Sequence, residues 1–341
     1  MRKARRVKPI HGNYRDWESL AAYREEAHQA RRQLRLVRTP SRPAAGLRLF
    51  SMMRNERDLL PRFLDHYRKL GIACFVIVDN NSSDGSHEWL LEQPDVELHH
   101  TEASFAAANG GTLWIDGLIQ EQASGDWVVF ADADEFLIYD QCDVYPLPVL
   151  IERLRALGET KLLAPLVDAY SDPAAPDHLL FDALPETSYK TGGGPHITGG
   201  PRCRMAAATG ASQVPCLTKY PLTRYGPRSV YANVHFPEPA SENGQRIRGR
   251  LLHLKLTPRF RGKVEEGLRG GQHWNGGIEY QGYSRWLDTR DTADLVIEES
   301  RRFTGAADLI EAGLLEPLDW NRSNGRLPLW RALRAVWNPR R

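Results

Sequence analysis

Three carboxylates crowd into "DWVVFADADEFLIYD" (126–140), where Asp132, Asp134 and Glu135 follow directly on an apolar run. Like charges this close repel and raise one another's pKa, so they persist where a cation arrives or where the side chains reach water. In an extended segment Asp132 and Asp134 project to one side and Ala133 to the other. That spacing suits a hard divalent cation, which takes carboxylate oxygens and keeps the rest of its shell for a phosphate-bearing ligand. The cation would offset the charge of a departing diphosphate. A solvated acidic turn is the competing reading, and the position behind a buried strand favours the cation.

A second polar cluster, "VDNNSSDGS" (78–86), also follows an apolar run. Asp79 at a strand end can accept hydrogen bonds from a nucleobase or ribose, and the serines with Gly85 predict a tight turn; Asx turns and a helix cap explain the same residues. Neither G-x-G-x-x-G nor G-x-x-x-x-G-K-[ST] occurs, which argues against a dinucleotide enzyme and a P-loop NTPase.

The elements that must position these clusters can be read from periodicity. "LRLFSMM" (47–53), "ACFVIV" (73–78), "VELHH" and "WVVFA" (127–131) predict strands. Between the first two, a helix capped by Asp58, with Pro61 in its first turn, carries Leu59, Leu60, Phe63, Leu64, Tyr67 and Leu70 and stops at Gly71. Ser82 or Ser83 caps a short helix ending at Pro94, and another helix covers roughly 104–122. This alternation predicts an α/β fold: a Rossmann-like, mostly parallel sheet with helices on both faces. Ligands bind beyond the carboxyl ends of such strands, where both clusters lie. The second half is harder to read. "SDPAAPD" (171–177) and "TGGGPHITGGPR" (191–202) look too rich in Gly and Pro for regular elements, "RLLHLKL" (250–256) is its clearest strand, and the pattern turns helical past about 290. In that strand His253 points to the same face as Lys255.

Taken together, "SMMRNERDLLPRFLDHYRKLGIACFVIVDNNSSDGS" and "GDWVVFADADEFLIYD" resemble the nucleotide-binding half of family 2-like glycosyltransferases with the GT-A fold. In particular they resemble the bacterial group with N-E, H-x-x-x-x-G (His66 to Gly71), DNNSSDG and D-x-D-E-F. The resemblance continues through "GGPRCR" (199–204), "LTKYPL" (217–222) and "LLHLKL" (251–256), so it covers roughly 47–290. It implies that Asp132 and Asp134 hold Mn²⁺ or Mg²⁺ against a nucleotide-sugar diphosphate, with Asp132 also facing the donor. It places Asp79, and Asp84 of the same loop, with Asn55 and Glu56, at the nucleotide, and makes His253 a further metal ligand. Arg202, Arg204 and Lys219 would neutralise phosphates. If the reaction inverts, a carboxylate must take the acceptor's proton, and Asp168 in "LLAPLVDAYSD" is best placed, with Asp172 and Glu186 as rivals. The processive Q-x-x-R-W signature is missing, which disfavours a polymerising enzyme. The expected divisions are a basic, helical extension (1–45), a nucleotide-sugar-binding half (46–160), an acceptor-binding and metal-completing half (161–290), and a helical region with a basic amphipathic tail (291–341).

Charge is distributed unevenly. The first 48 residues carry thirteen Lys and Arg against four Asp and Glu, although the whole chain has a net charge of only +2. A total this small offers no argument for nucleic acid, and aromatic residues for base stacking are sparse in the arm (Tyr14, Trp17, Tyr23), so no nucleic acid partner is expected. A GT-A-like binding protein without catalysis and a nucleotidyltransferase are the alternatives to a glycosyltransferase. In "RLPLWRALRAVWNPRR" (326–341), Leu329, Trp330, Leu333, Val336 and Trp337 form one helical stripe. Such a helix either docks on its own domain or lies on an anionic membrane surface beside a glycan or lipid-linked acceptor. Cys74, Cys142, Cys203 and Cys216 have neither C-x-x-C nor zinc spacing, so reduced thiols are expected. With neither a signal peptide nor a spanning run, the expected location is the cytoplasm, with peripheral contact at its membrane.

Overall fold

Two sheets that exchange strands organise the chain. The computed structural model describes residues 17–41, 45–191, 194–211, 214–231, 233–239, 248–270 and 278–320, with side chains from Leu20 onward. The basic tail and the first 16 residues lie outside the described residues. The order begins α1 (Trp17–Arg31), β1 (Arg35–Arg38), β2 (Arg48–Met53), α2 (Leu60–Lys69), β3 (Cys74–Asp79), α3 (Ser86–Leu91), β4 (Val96–His100), α4 (Thr112–Gln122), β5 (Trp127–Phe130). It continues β6 (Glu135–Ile138), α5 (Leu147–Ala156), β7 (Lys161–Leu162), β8 (Leu166–Asp172), β9 (Ala175–Asp182), β10 (Thr187–Thr191), β11 (Gly194–Thr198), α6 (Gly200–Ala208), β12 (Leu222–Arg224). The remainder is β13 (Val230–Tyr231), β14 (Pro237–Glu238), β15 (Arg250–Leu256), α7 (Phe260–Gly270), α8 (Ile278–Leu287), β16 (Ser300–Phe303) and α9 (Ala306–Glu311).

The larger sheet has the order β1-β4-β3-β2-β5-β12-β7. Its centre, β4-β3-β2-β5, is parallel, and β1 and β12 flank it in antiparallel pairing. This is the α/β arrangement, Rossmann-like and mostly parallel at its centre, that the alternating pattern predicts. Alternate residues of each central strand feed opposite layers. Leu49, Phe75, Ile77 and Val129 pack with Phe63, Leu64 and Leu150 of α2 and α5. Phe50, Val76, Val78 and Val128 pack with Trp114, Ile115 and Leu118 of α4. Burial on both faces is why these strands read as unbroken apolar runs rather than alternations.

A smaller sheet, β16-β9-β8-β15-β6, leans on the first. It takes β6 from before residue 160, while the larger sheet takes β7 and β12 from after it, so no boundary between the sheets falls there. Tyr170, Met205, Leu256, Phe260, Val264, Tyr283 and Trp286 close a third apolar cluster under α6, α7 and α8.

Several local expectations are corrected. Within the extension expected to be helical (1–45), the helix ends at Arg31, and Arg35–Arg38 pairs with β4, covering a sheet edge that would otherwise present unpaired backbone. The helix expected from 104 begins at Thr112, because Asn109, Gly110 and Gly111 adopt left-handed backbone with φ of 52°, 64° and 77°. Asp58 makes no cap; it pairs with Arg259 at 3.3 Å, and Leu59 occupies the cap position. Gly85, not a serine, precedes α3, with φ of 88°. "SDPAAPD" is a hairpin, with Pro173 at its turn and Pro176 near the start of β9, where a missing N–H is tolerated. "TGGGPHITGGPR" contains β11 and the start of α6, with Pro201 in the helix's first turn. Past 290, Ser300–Phe303 is a strand on β9 rather than helix.

Helix α1 belongs to the folded body: it packs along α4 so closely that a methyl at Gly117 would lie 2.5 Å from the Ala27 carbonyl oxygen and 2.9 Å from Arg31 Cβ. Gly117→Ala should therefore cost about 1–3 kcal/mol in chemical denaturation. Gly262→Ala on α7, where nothing lies within 4 Å, should cost nothing or stabilise by a few tenths of a kcal/mol, up to about 1. Equal stability of wild type and Gly117→Ala would show that α1 does not dock there.

Candidate active site

The parallel register places the two polar clusters on one edge. Met53 lies opposite Asp79, and Phe50 opposite Phe130, so the loops after β2, β3 and β5 leave the sheet at the same end. In the smaller sheet, β6, β15 and β8 set Glu135, His253 and Asp168 in one row. Phe136, Leu252 and Leu254 anchor these strands in the core, so the row of polar residues is fixed by apolar neighbours.

His253 is the centre of the row. Its Nδ1 lies 2.6 Å from Asp168 Oδ1 and its Nε2 3.3 Å from Asp134 Oδ2. Burial favours a neutral ring, but the two carboxylates, Asp134 foremost, hold the imidazole pKa above its ordinary value. Asp134 is correspondingly pulled well below the usual carboxylate range: burial pushes it up, and His253 overcomes that.

Asp168 does not fit the role of catalytic base. Its side chain is wholly buried, and Arg202 Nε donates to both carboxylate oxygens at 2.8 Å. Burial raises its pKa, yet Arg202 and then His253 bring it down to about 2. A carboxylate so occupied is a weak proton acceptor with no open face. Its partner Arg202 also reaches Glu279 at 3.2 Å, and its Nη2 is buried without an acceptor among the described residues. Glu279 in turn accepts from the Tyr283 hydroxyl, and Lys255 lies 5.2 Å from the Tyr280 ring. Of the rivals, Asp172 accepts from Ala174 N in the hairpin turn, and Glu186 pairs with Arg250 at 2.6 Å. Arg204 is corrected as well: it donates twice to Asp182 at 3.0 Å and to the Leu295 carbonyl, away from the row.

The D-x-D segment is a turn, not an extended stretch, because Glu135 N donates to Asp132 O at 3.0 Å. The two aspartates consequently meet different cations. Lys219 Nζ sits 3.1 Å from Asp132 and 2.8 Å from Glu135, while Asp134 turns to His253. Both aspartate side chains stay partly open, 33% and 26% exposed, so they remain reachable from solvent.

At the other end of the edge, the expected nucleotide contacts brace loops. Asp79 is fully buried: Ser82 N donates to Oδ1, and His87 and His100 face Oδ2 through Nδ1 at 2.8 and 3.2 Å, leaving the carboxylate no free side for a base or ribose. Asp84 accepts from Arg57 N and Ser86 N. Asn55, held at φ 57°, accepts from Ser83 N and donates to Glu266. Glu56 is clasped by Lys263 at 2.6 Å and Arg259 at 3.1 Å. Helix α7 thus closes over the first loop. His87, His100, Arg259, Lys263 and Glu279 carry no motif. Only His100, at the carboxyl end of "VELHH", had a readable signal.

The residues present fit a divalent ion in part. Asp134 and Nε2 of His253 supply oxygen and imidazole donors that suit Mn²⁺, and Asp168 orients the ring from behind through Nδ1, as carboxylates commonly do for metal-bound histidine. Asp132 would have to turn from Lys219 to join them.

Asp168→Asn should lower the His253 pKa toward its ordinary 6.5, read by NMR titration of the ring. It should also destabilise the fold, by up to roughly 3–5 kcal/mol, because the buried Arg202 loses its doubly bonded carboxylate and keeps only Glu279. The sign follows from the shifts: Asp168 stabilises fully above its ordinary 3.8 and loses this as pH falls toward about 2, so the variant's acid limb should be shallower. An unchanged His253 titration would remove Asp168 from this role.

No protein-family profile and no curated protein matches the sequence. Among solved structures, S. aureus TarS 1–349 matches with 16% identity over 36% of each chain, at a TM-score of 0.25. The mannosyltransferase PcManGT from Pyrobaculum calidifontis, solved with GDP-Man and Mn²⁺, matches with 20% identity over 46% of this chain and 45% of that one, at 0.25. A Bacillus anthracis protein assigned as a glucose-1-phosphate thymidylyltransferase, solved with sucrose, matches with 10% identity over 70% of this chain and 84% of that one, at 0.30. The chain thus spans less than half the length of the first two.

Proposed function

We propose that the chain is a metal-dependent glycosyltransferase that moves a sugar from a nucleotide-diphosphate sugar to a hydroxyl on a glycan or lipid-linked acceptor, in cell-surface polysaccharide synthesis. The observation that carries this reading is the Asp134–His253–Asp168 set beside the loop that follows β5, in which the ring nitrogen not held by Asp168 faces the partly open Asp134. When bound, Mn²⁺ or Mg²⁺ supplies positive charge against the diphosphate as it leaves.

The chain's own residues do the rest. Asp134 and His253 grip the ion, and Asp168, clamped by Arg202, keeps the ring from turning. Lys219 balances Asp132 and Glu135, with its own pKa held above the ordinary value by those two carboxylates despite the opposing pull of burial. The unsatisfied Nη2 of Arg202 is a donor for an oxygen of donor or acceptor. Among the described residues no helix is long and apolar enough to cross a membrane; contact with a membrane-borne acceptor would then rest on the 326–341 tail.

A thermal-shift panel of nucleoside diphosphates and their sugars tests this. A cognate donor at 100 times its Kd should stabilise the protein by about 2.7 kcal/mol, with Mn²⁺ required and Asp134→Asn losing the metal-dependent part. Labelled donors should give transfer of the sugar; transfer of the nucleotidyl group instead would make it a nucleotidyltransferase. No metal-dependent shift with any donor would overturn the reading.

A further inference from the structure

The buried end of β3 holds a second set of metal donors that the sugar-transfer reading does not use. Asp79, His87 and His100 offer one carboxylate oxygen and two imidazole nitrogens, all within 4.8 Å of one another. They come from three elements. Asp79 closes β3, His100 lies opposite it at the end of β4, and His87 stands in the first turn of α3. The two rings meet edge to face at 84°, with centroids 5.4 Å apart, so both Nδ1 atoms converge on Asp79 Oδ2 without clashing.

We propose that Asp79, His87 and His100 bind a divalent transition-metal ion, zinc foremost. The argument is geometric first. Zinc bonds of 2.0–2.1 Å in a tetrahedron place neighbouring donors about 3.3 Å apart. The observed Oδ2 to Nδ1 separations are 2.8 and 3.2 Å, so these two edges need at most a few tenths of an ångström of expansion, and all the donor atoms lie within 4.8 Å of one another. The frame is already held: Thr101 N donates to the Asp79 carbonyl, Asn80 Nδ2 donates to the carbonyls of Thr101 and Ala103, and Ser82 N fixes Asp79 Oδ1. Two imidazoles with one carboxylate select zinc and its neighbours over Mg²⁺ or Ca²⁺. The imidazoles are 21% and 17% exposed while the carboxylate is buried, so the fourth position opens toward solvent. Three protein ligands with one open position is the pattern of a site that can also take a ligand, here next to the loop that runs from Asp79 to Ser86.

This site is independent of the Asp134–His253 pair, and the test keeps them apart. Full-length Asp134→Asn protein, stripped with chelator, is titrated with Zn²⁺ by calorimetry, with bound metal counted by elemental analysis. One zinc per chain should bind, and His100→Gln or His87→Gln in that background should weaken it by more than the roughly 10–100-fold that loss of an outer-shell partner costs. Should a glutamine variant fail to fold by circular dichroism, Co²⁺ loaded into the Asp134→Asn protein gives the second readout. Intense visible bands of a four-coordinate nitrogen and oxygen site are expected. Absent zinc binding, binding unaltered by either histidine variant, or only the faint spectrum of six-coordinate cobalt would overturn the proposal.

Discussion

The contact on which the candidate site depends is the bracketing of His253, on β15, between Asp134 in the turn before β6 and Asp168 on β8. A buried imidazole between two carboxylates can be held in one orientation only if each carboxylate is itself held. Arg202 holds Asp168, and the backbone of β15 holds Asp134, since Leu254 N donates to its carbonyl. The charges are therefore arranged as a chain, Arg202 to Asp168 to His253 to Asp134, that runs from the interior to the open edge. Each link is worth more than it would be in water because the inner members are desolvated, and each would be costly if its partner were removed.

That chain also explains why the site spans two sheets. The aspartates follow β5 of the larger sheet, whereas the histidine and the buried carboxylate belong to β15 and β8 of the smaller one, and β6 is the short strand that carries the D-x-D turn across. Neither sheet holds the set alone. At the opposite side of the same edge, Arg259, Lys263 and Glu266 of the α7 region tie down Asn55 and Glu56, so the first loop is set by a segment more than 200 residues away in sequence.

Asp79 shows how burial redirects a residue. Its position at a strand end is what a nucleotide contact requires, but its oxygens are spent on Ser82, His87 and His100. Similarly, Arg202 and Arg204 stand two apart on one helix and so face different ways. One enters the charged chain and the other satisfies Asp182 at the end of β9.

Read alone, the sequence determined the central sheet and the location of its edge, because strands buried on both faces must be continuously apolar and the polar loops must emerge where they stop. It also determined that Asp132 and Asp134 are candidates, since carboxylates at D-x-D spacing are a local pattern, whereas His253 became one only through the family resemblance. The second half escaped it. The strand at 300–303 owes its form to β9, a partner distant in the chain, while the hairpins at 171–177 and around 187–198 close on neighbouring residues in spite of their Pro and Gly. Only the tertiary structure decided that Asp168 is buried between Arg202 and His253, that Asp132 turns to Lys219, and that Arg204 pairs with Asp182. Those outcomes depend on desolvation and on which opposite charge lies within about 3 Å, and neither quantity exists until the chain has folded.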